Sequence, residues 1–165
     1  MDILDSAYLD AARHSVLTPY GLSLSYRDKD SGRIFYRRTE SSPTEDITES
    51  GGEDETILQK IYSHSEKIGA VVLMREGFAF SFAERCETLP IFDKDTSLLL
   101  GSNIFCTSPD KITDTMRETD AKALLLRGRF AVVISYGLHN AIRLTYALEM
   151  AAKAERVKRF LYGLE

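Results

Sequence analysis

The residues of this sequence best equipped for chemistry are charged rather than nucleophilic. Arg75 follows an apolar run, and Arg127 and Arg129 flank Gly128 in a turn-like stretch. A guanidinium is a permanent cation with a planar fork of donors, suited to carboxylates and phosphates and unable to ligate a metal. The glycine between Arg127 and Arg129 lets backbone approach a ligand closely. Three consecutive acids, Glu53, Asp54 and Glu55, precede a helical pattern, where the helix dipole favours negative charge. Metal chemistry is poorly served. The three histidines, His14, His64 and His139, include no pair at i, i+2 or i, i+4. A catalytic zinc needs about three protein ligands and an open position, so each histidine reads as a surface residue. Ser50-Gly51-Gly52 echoes a phosphate loop without the following Lys-Ser or Lys-Thr, and reads as part of a flexible acidic loop. Tyr20, Tyr26, Tyr36, Tyr62 and Tyr136 are candidate proton donors and His139 a candidate base, but no spacing joins any two of them. No Ser-His-Asp or Cys-His constellation can be nominated.

The elements that must position these groups follow from periodicity. Ile3, Leu4, Ala7, Tyr8, Ala11 and Ala12 fall on one helical face within Ile3–Leu17, and Thr18-Pro19-Tyr20-Gly21 ends that helix. Leu22–Tyr26 alternates as a half-buried strand, Asp28–Gly32 has turn chemistry, and Ile34–Tyr36 closes a hairpin. Residues 39–55 are polar and acidic, with almost nothing to bury, and read as a mobile loop. Thr56–Ser63 reads as a helix with Ile57, Leu58, Ile61 and Tyr62 inward. Ala70–Leu73 is a buried strand, while Phe78–Ala83 suits either helix or strand. Leu98–Leu100 and Ile104–Cys106 are short strand candidates, and Asp110–Glu118 is a helix opened by Ser108-Pro109. Ala123–Leu126 and Phe130–Ser135 are apolar strands around the Arg-Gly-Arg turn, and Asn140–Leu161 is a long helix. Alternating strands and helices predict a layered α/β architecture in one domain over residues 1–165.

Composition narrows the classes. Hydrophobic residues make up 44% and charged residues 28%, as in an ordinary globular domain. A net charge of −4 favours neither nucleic acid nor an anionic membrane. No apolar run approaches the roughly 20 residues that cross a bilayer. Met1-Asp2-Ile3-Leu4-Asp5 lacks the basic and apolar regions of a secretory signal, and the expected compartment is cytoplasmic. Cys86 and Cys106 have no metal-type spacing and sit among Phe82, Ile104 and Phe105; buried free thiols are expected.

Two stretches carry a resemblance. Ala123–Gly137, reading ALLLRGRFAVVISYG, runs into Asn140–Lys153, reading NAIRLTYALEMAAK; Ile57–Tyr62 is followed by Ile68-Gly-Ala-Val-Val72. In this order and spacing the chain resembles the class II aldolase and adducin head-domain family over most of its length. A weaker match is Gly21-Leu-Ser-Leu-Ser25. The resemblance implies a three-layer α/β/α sandwich around a mixed, largely antiparallel sheet. It also implies a zinc site, and there the residues depart. The family's paired zinc histidines fall on Leu73 and Arg75, and its later zinc histidine on Arg129. The family's acid falls on Asp54, with Glu53 and Glu55 beside it, and its phosphate-holding Asn falls on Leu22. Its Pro-Ser-Ser phosphate segment reads Gly51-Gly52-Glu53, which brings an anion to an anion's place.

What this implies is a divergent member without metal or other cofactor, more a non-enzyme than an enzyme, acting in assembly or in binding a small anionic metabolite. Adducin heads offer the precedent of this fold without catalysis. Arg75 and Arg129 either fill the former metal pocket and pair with Asp54 or Glu55, or join Arg127 around an anion, or point into solvent. The alternative is a sugar-phosphate aldolase or epimerase, a carbon–carbon lyase if an enzyme at all, using Asp54 or Glu55 by an altered or metal-independent mechanism. The resemblance further implies a homo-oligomer, a tetramer in the aldolases.

Overall fold

The computed structural model describes residues 3–13, 21–49 and 51–164. His14, Tyr20, Ser50 and the expected Thr18-Pro19 helix stop lie outside the described residues. Nine strands and six helices follow one another among those described. In chain order they are α1 (Ile3–Arg13), β1 (Leu22–Arg27), β2 (Ile34–Arg37), β3 (Glu45–Asp46), α2 (Glu53–His64), β4 (Ala70–Met74) and α3 (Gly77–Arg85). After these come β5 (Leu89–Pro90), α4 (Lys94–Leu100), β6 (Asn103–Ile104), β7 (Cys106–Thr107), α5 (Ile112–Thr119), β8 (Ala123–Leu126), β9 (Phe130–Ser135) and α6 (Leu138–Tyr162).

Seven strands form one sheet in the order β3-β2-β1-β4-β9-β8-β7. Every neighbouring pair is antiparallel except β7 with β8, so the sheet is mixed and largely antiparallel. β5 and β6 pair separately. The central strands explain the architecture. β4, β8 and β9 are buried at every position, which requires cover on both faces. One core holds Val72, Met74 and Val133 with Leu4 and Tyr8 of α1, Phe82 of α3 and Leu144 and Leu148 of α6. The other holds Val71, Leu73 and Val132 with Ile57, Leu58 and Ile61 of α2 and Ile112 and Met116 of α5. Successive residues of one strand serve opposite cores, the period-two rule applied to a doubly covered sheet. The result is the three-layer α/β/α sandwich that the resemblance implied.

Several local expectations give way. Residues 39–55 are not bare loop: β3 pairs with β2 there, Ile47 is buried, and α2 begins at Glu53. The isolated Ile47 gave no periodicity by which to find a strand. Leu98–Leu100 ends a helix rather than forming a strand, because Asp93 caps α4 by accepting from the Thr96 N–H at 2.7 Å. Phe78–Ala83, open between helix and strand, lies in α3. Ile104–Cys106 divides between β6 and β7. The expected free thiols are instead joined, Cys86 to Cys106. The pairing is long-range, 20 residues apart in sequence, and is set by α3 ending beside the sheet edge, which no local pattern announces.

Candidate functional site

On the α2 face, the strand ends and the first turn of α2 converge. Leu73 and Arg75 point to the same face because they are two residues apart on an extended chain. Leu73 is wholly buried in the α2 core. Arg75, just past β4, is held by its backbone N–H donating to the Gly21 carbonyl at 2.8 Å. Its guanidinium donates to Asp54 Oδ2 at 2.5 Å and to the Ser23 hydroxyl, and lies over the Phe130 ring, 5.1 Å from the centroid. Asp54 also accepts from the Tyr36 hydroxyl at 3.4 Å and has the Arg38 guanidinium 3.7 Å away. Ser23 in turn donates to the Arg38 carbonyl at 2.7 Å. Arg75 and Asp54 are mostly covered, with side chains 29% and 15% exposed, so this pair is screened far less than a surface one.

The acids are placed by α2 itself. Gly52 is its N-cap, without a side-chain cap, and Glu53, Asp54 and Glu55 fill the first turn. There the unpaired N–H groups favour negative charge. Glu55 is buried and folds back over Gly52, where a Cβ would stand 1.4 Å from its Oε2. That Oε2 has no hydrogen-bond partner among the described residues, and Oε1 has only Arg38 at 3.8 Å. Glu53 instead points outward to Arg129, which holds the Glu53 carboxyl below its ordinary range, chiefly through the hydrogen bond. The same contact raises Arg129 further. Burial pushes the Tyr36 phenol up, so it stays a proton donor toward Asp54. Arg127 is exposed and makes no ion pair among the described residues. Three guanidiniums, Arg38, Arg75 and Arg129, thus face three carboxylates, and the cluster is formally neutral.

Sequence reasoning brought Asp54, Glu55, Arg75 and Arg129 to one neighbourhood, and the structure has them there. It paired Arg129 with Asp54 or Glu55, whereas the partner is Glu53. It missed Ser23, Arg38 and Phe130. The signal was present: Tyr36 and Arg38 are two apart on one strand direction, and Ser23 alternates with Leu22 and Leu24, which belong to the opposite core. The phosphate-holding position assigned to Leu22 therefore faces away from this cluster. The other nominated proton carriers are elsewhere. Tyr62 is buried against Ser25 at 3.0 Å, Tyr26 stacks on Phe35, Tyr136 is exposed, and His139 sits on the surface 3.2 Å from Asp10.

No family profile matches this chain, and no curated relative does. Solved structures do. The L-fuculose-1-phosphate aldolase of Thermus thermophilus superimposes with a TM-score of 0.74 at 14% identity, over 98% of this chain and 95% of that one. Another L-fuculose 1-phosphate aldolase gives 0.76 at 16% identity, over 96% of this chain and 85% of that one. The chain has the class II aldolase fold. An aldolase II superfamily protein from Pseudomonas syringae gives 0.69 at 14% identity, over 96% and 75%. Identities this low carry the fold alone.

Within the class II aldolase fold, the residues at the three implied zinc positions do not fit the metal. Leu73 offers only an alkyl chain, and Arg75 and Arg129 are permanent cations already engaged by carboxylates. Arg75 places its charge against Asp54, where the resemblance implies a metal beside an acid. No chemical step can be routed through zinc with this donor set. The arrangement can fix the α2 N-terminus to the strand ends, and it can present Arg127 and Arg38, both largely exposed, to an anion.

Proposed function

We propose that this chain is a class II aldolase-like protein that works without a zinc centre, is not an enzyme, and acts in assembly or in binding a small anionic ligand. One observation carries the reading: the Arg75 guanidinium, bonded to Asp54 and Ser23 and lying over Phe130, stands where the resemblance implies a metal ligand. A cation fixed there does the electrostatic work of an ion beside Asp54, but it has no open coordination position and cannot polarise a carbonyl as a Lewis acid. Arg127, exposed and in the same turn as Arg129, is the ligand-facing group of this proposal together with Arg75 and Arg129, and a phosphate or carboxylate is the matching chemistry. The proposal includes a homo-oligomer, a tetramer by the resemblance, in the cytoplasm.

Metal analysis of the purified protein and a thermal-shift series with sugar phosphates and organic acids test the reading together. The expected result is substoichiometric zinc and an upward shift with at least one anion, lost in Arg127→Ala. Stoichiometric zinc would overturn the metal-free centre, and flat melting curves up to millimolar anion would remove the ligand half.

One observation favours a second reading, an enzyme of sugar-phosphate aldolase or epimerase type working without metal. Glu55 is a buried carboxylate with one oxygen unpartnered among the described residues, the form of a general base held ready. Retro-aldol or epimerase turnover of a sugar phosphate by metal-free protein, abolished in Glu55→Gln, would replace the first reading with this one.

A further inference from the structure

The Cys86–Cys106 bridge joins two segments that each hold the arginine turn from a different side. Cys86 is the residue after the last turn of α3. Three residues before it, the Ala83 carbonyl accepts the Gly128 N–H at 3.0 Å. Cys106 opens β7, a two-residue strand at the edge of the sheet. One residue after it, the Thr107 carbonyl accepts the Arg127 N–H at 3.0 Å. The turn Arg127-Gly128-Arg129 is thus suspended between two carbonyls, and the disulfide fastens the two segments that own them. Gly128 takes φ +66°, so the turn has a conformation that an ordinary residue would not hold.

The β8–β9 hairpin closes the turn locally, with the Arg129 N–H donating to the Leu126 carbonyl at 3.0 Å, but the attachment of β7 to it is slight. β7 pairs with β8 over two residues only, and the next residue back, Phe105, adds one bond to Leu125 at 2.9 Å. Cys86 has φ +52° and ψ +47°, the left-handed position after a helix that glycine normally takes. Its N–H donates to Ala83 and the Glu87 N–H to Phe82, the pattern of a Schellman ending. A residue with a Cβ stands there against conformational preference, and its side chain forms the bridge. Both cysteines are partly buried rather than fully enclosed, Cys106 against the α1 and α6 core.

We propose that the Cys86–Cys106 disulfide is a reducible clamp that sets whether the Arg127-Gly128-Arg129 turn holds the ion-paired cluster at the α2 N-terminus closed. A dithiol reductant supplies two electrons and two protons. The S–S bond breaks, Cys86 and Cys106 become thiols, and the reductant becomes a disulfide. The edge strand and the end of α3 then lose their covalent link and keep the shared core packing and their bonds to the turn, and Arg129 is freed to leave Glu53. In a reducing compartment, bridges of this kind are made and broken rather than permanent. The inference takes the cluster to be the functional centre, and so rests on the reading above.

Amide hydrogen exchange on the full-length protein tests it, with and without dithiothreitol, alongside mass analysis after alkylation. The bridge predicts no alkylation before reduction and two alkylated cysteines after it. On reduction, exchange at Arg127 and Gly128 should quicken about tenfold or more, while the amides of β4 and β9 stay as they were. Free thiols in protein purified without reductant overturn the proposal. So does unchanged exchange at the turn, or an increase spread evenly over the sheet. The double variant Cys86→Gly with Cys106→Ser keeps a residue suited to the left-handed cap and removes only the bridge. It should match reduced wild type and ignore dithiothreitol; behaviour like oxidised wild type overturns the clamp. Zinc content and anion-induced melting shifts are read separately, so the functional reading can fail while the exchange response stands, and the reverse.

Discussion

Each face of the sheet has a covered arginine and at least one buried glutamate, and the surroundings of these groups differ. On the α1 and α6 face, Arg37 donates to Asp5 at 2.6 Å and to Thr44 at 2.8 and 3.1 Å, and lies over Tyr8. Glu149 on that face accepts from Phe78 and Ala79 N–H at 2.6 and 2.9 Å, one bond to each oxygen, and Glu155 of α6 accepts from Arg159 at 2.9 Å while its other oxygen, without a hydrogen bond, has the Lys158 ammonium 3.5 Å away. On the α2 face, Arg75 is matched by Asp54 and Ser23, but Glu55 keeps a buried oxygen with no partner among the described residues. Buried polar atoms are almost always satisfied, and an exception marks a group with another reason to be there. The α6 face uses charge to fasten helices. The α2 face has the same fastening at Arg75 and, one residue along α2 from Asp54, a carboxylate whose one ion-pair partner among the described residues is Arg38 at 3.8 Å, where Glu155 has two cations within 3.5 Å.

The largest effect expected is on the structural face. Arg37→Ala strips Asp5 and Thr44 of their cation and uncovers Tyr8, whose hydroxyl donates to the Leu22 and Arg37 carbonyls at 3.1 and 3.0 Å. Urea unfolding should show a loss of about 2–3 kcal/mol, the Asp5 side being half open to solvent. A loss within error would deny that this arginine is a fastening and remove the reference for judging Arg75.

Arg75 comes next. Arg75→Ala leaves Asp54 covered and facing Tyr36 with only the more distant, exposed Arg38 guanidinium at 3.7 Å, and should cost about 2 kcal/mol. A double-mutant cycle with Asp54→Ala should return a coupling of about 1 kcal/mol or more. A coupling near zero would mean that Arg75 sits beside Asp54 without holding it, and the proposal that a guanidinium stands in for a metal would lose its physical content.

The contrast between faces also shows what was legible beforehand. The continuous apolar runs at 70–74, 123–126 and 130–135 announced strands with both faces covered, and the core followed. Leu73 and Arg75 could be placed on one face by alternation alone. The cluster's other members arrive from β1, β2 and β9, and their meeting depends on strand order and register, which are long-range properties. β4 lies between β1 and β9, so Ser23 and Phe130 come to Arg75 from opposite sides. The disulfide was hidden for the same reason. The cap of α4 was local and legible in principle, Asp93 standing three residues before Thr96, yet the apolar Leu98-Leu99-Leu100 outweighed it.

The two glutamates should respond with opposite signs. Glu149→Gln replaces one of two acceptors by an amide nitrogen facing an N–H, and should lose about 1 kcal/mol. Glu55→Gln removes a charge from a buried oxygen without a partner, and should be neutral or stabilising by up to about 1 kcal/mol. Burial raises the Glu149 carboxyl above its ordinary value. A raised carboxyl favours the folded state most below the unfolded value, and that contribution fades as pH climbs through the folded one. Wild type should therefore show this decline above the usual carboxylate range, and Glu149→Gln should lack it. Equal losses from both substitutions would erase the distinction between the faces.

The smallest effect belongs to the outermost pair, Arg129 with Glu53, whose carboxylate side chain is 74% exposed. Arg129 lowers the Glu53 carboxyl, so the linkage runs the other way from Glu149. The contribution is complete above the unfolded carboxylate range and is lost as pH falls through the lowered value. Glu53→Gln should leave the melting temperature at neutral pH unchanged within error and flatten only the acid limb of the stability profile. Added salt should weaken even that difference, because an exposed pair is screened. The oxidised protein should show this acid limb and the reduced protein should lose part of it, since the clamp holds Arg129 against Glu53. An acid limb identical in both redox states would place the turn outside the control of the bridge, and would make the Arg129 contact a surface pair that owes nothing to Cys86 and Cys106.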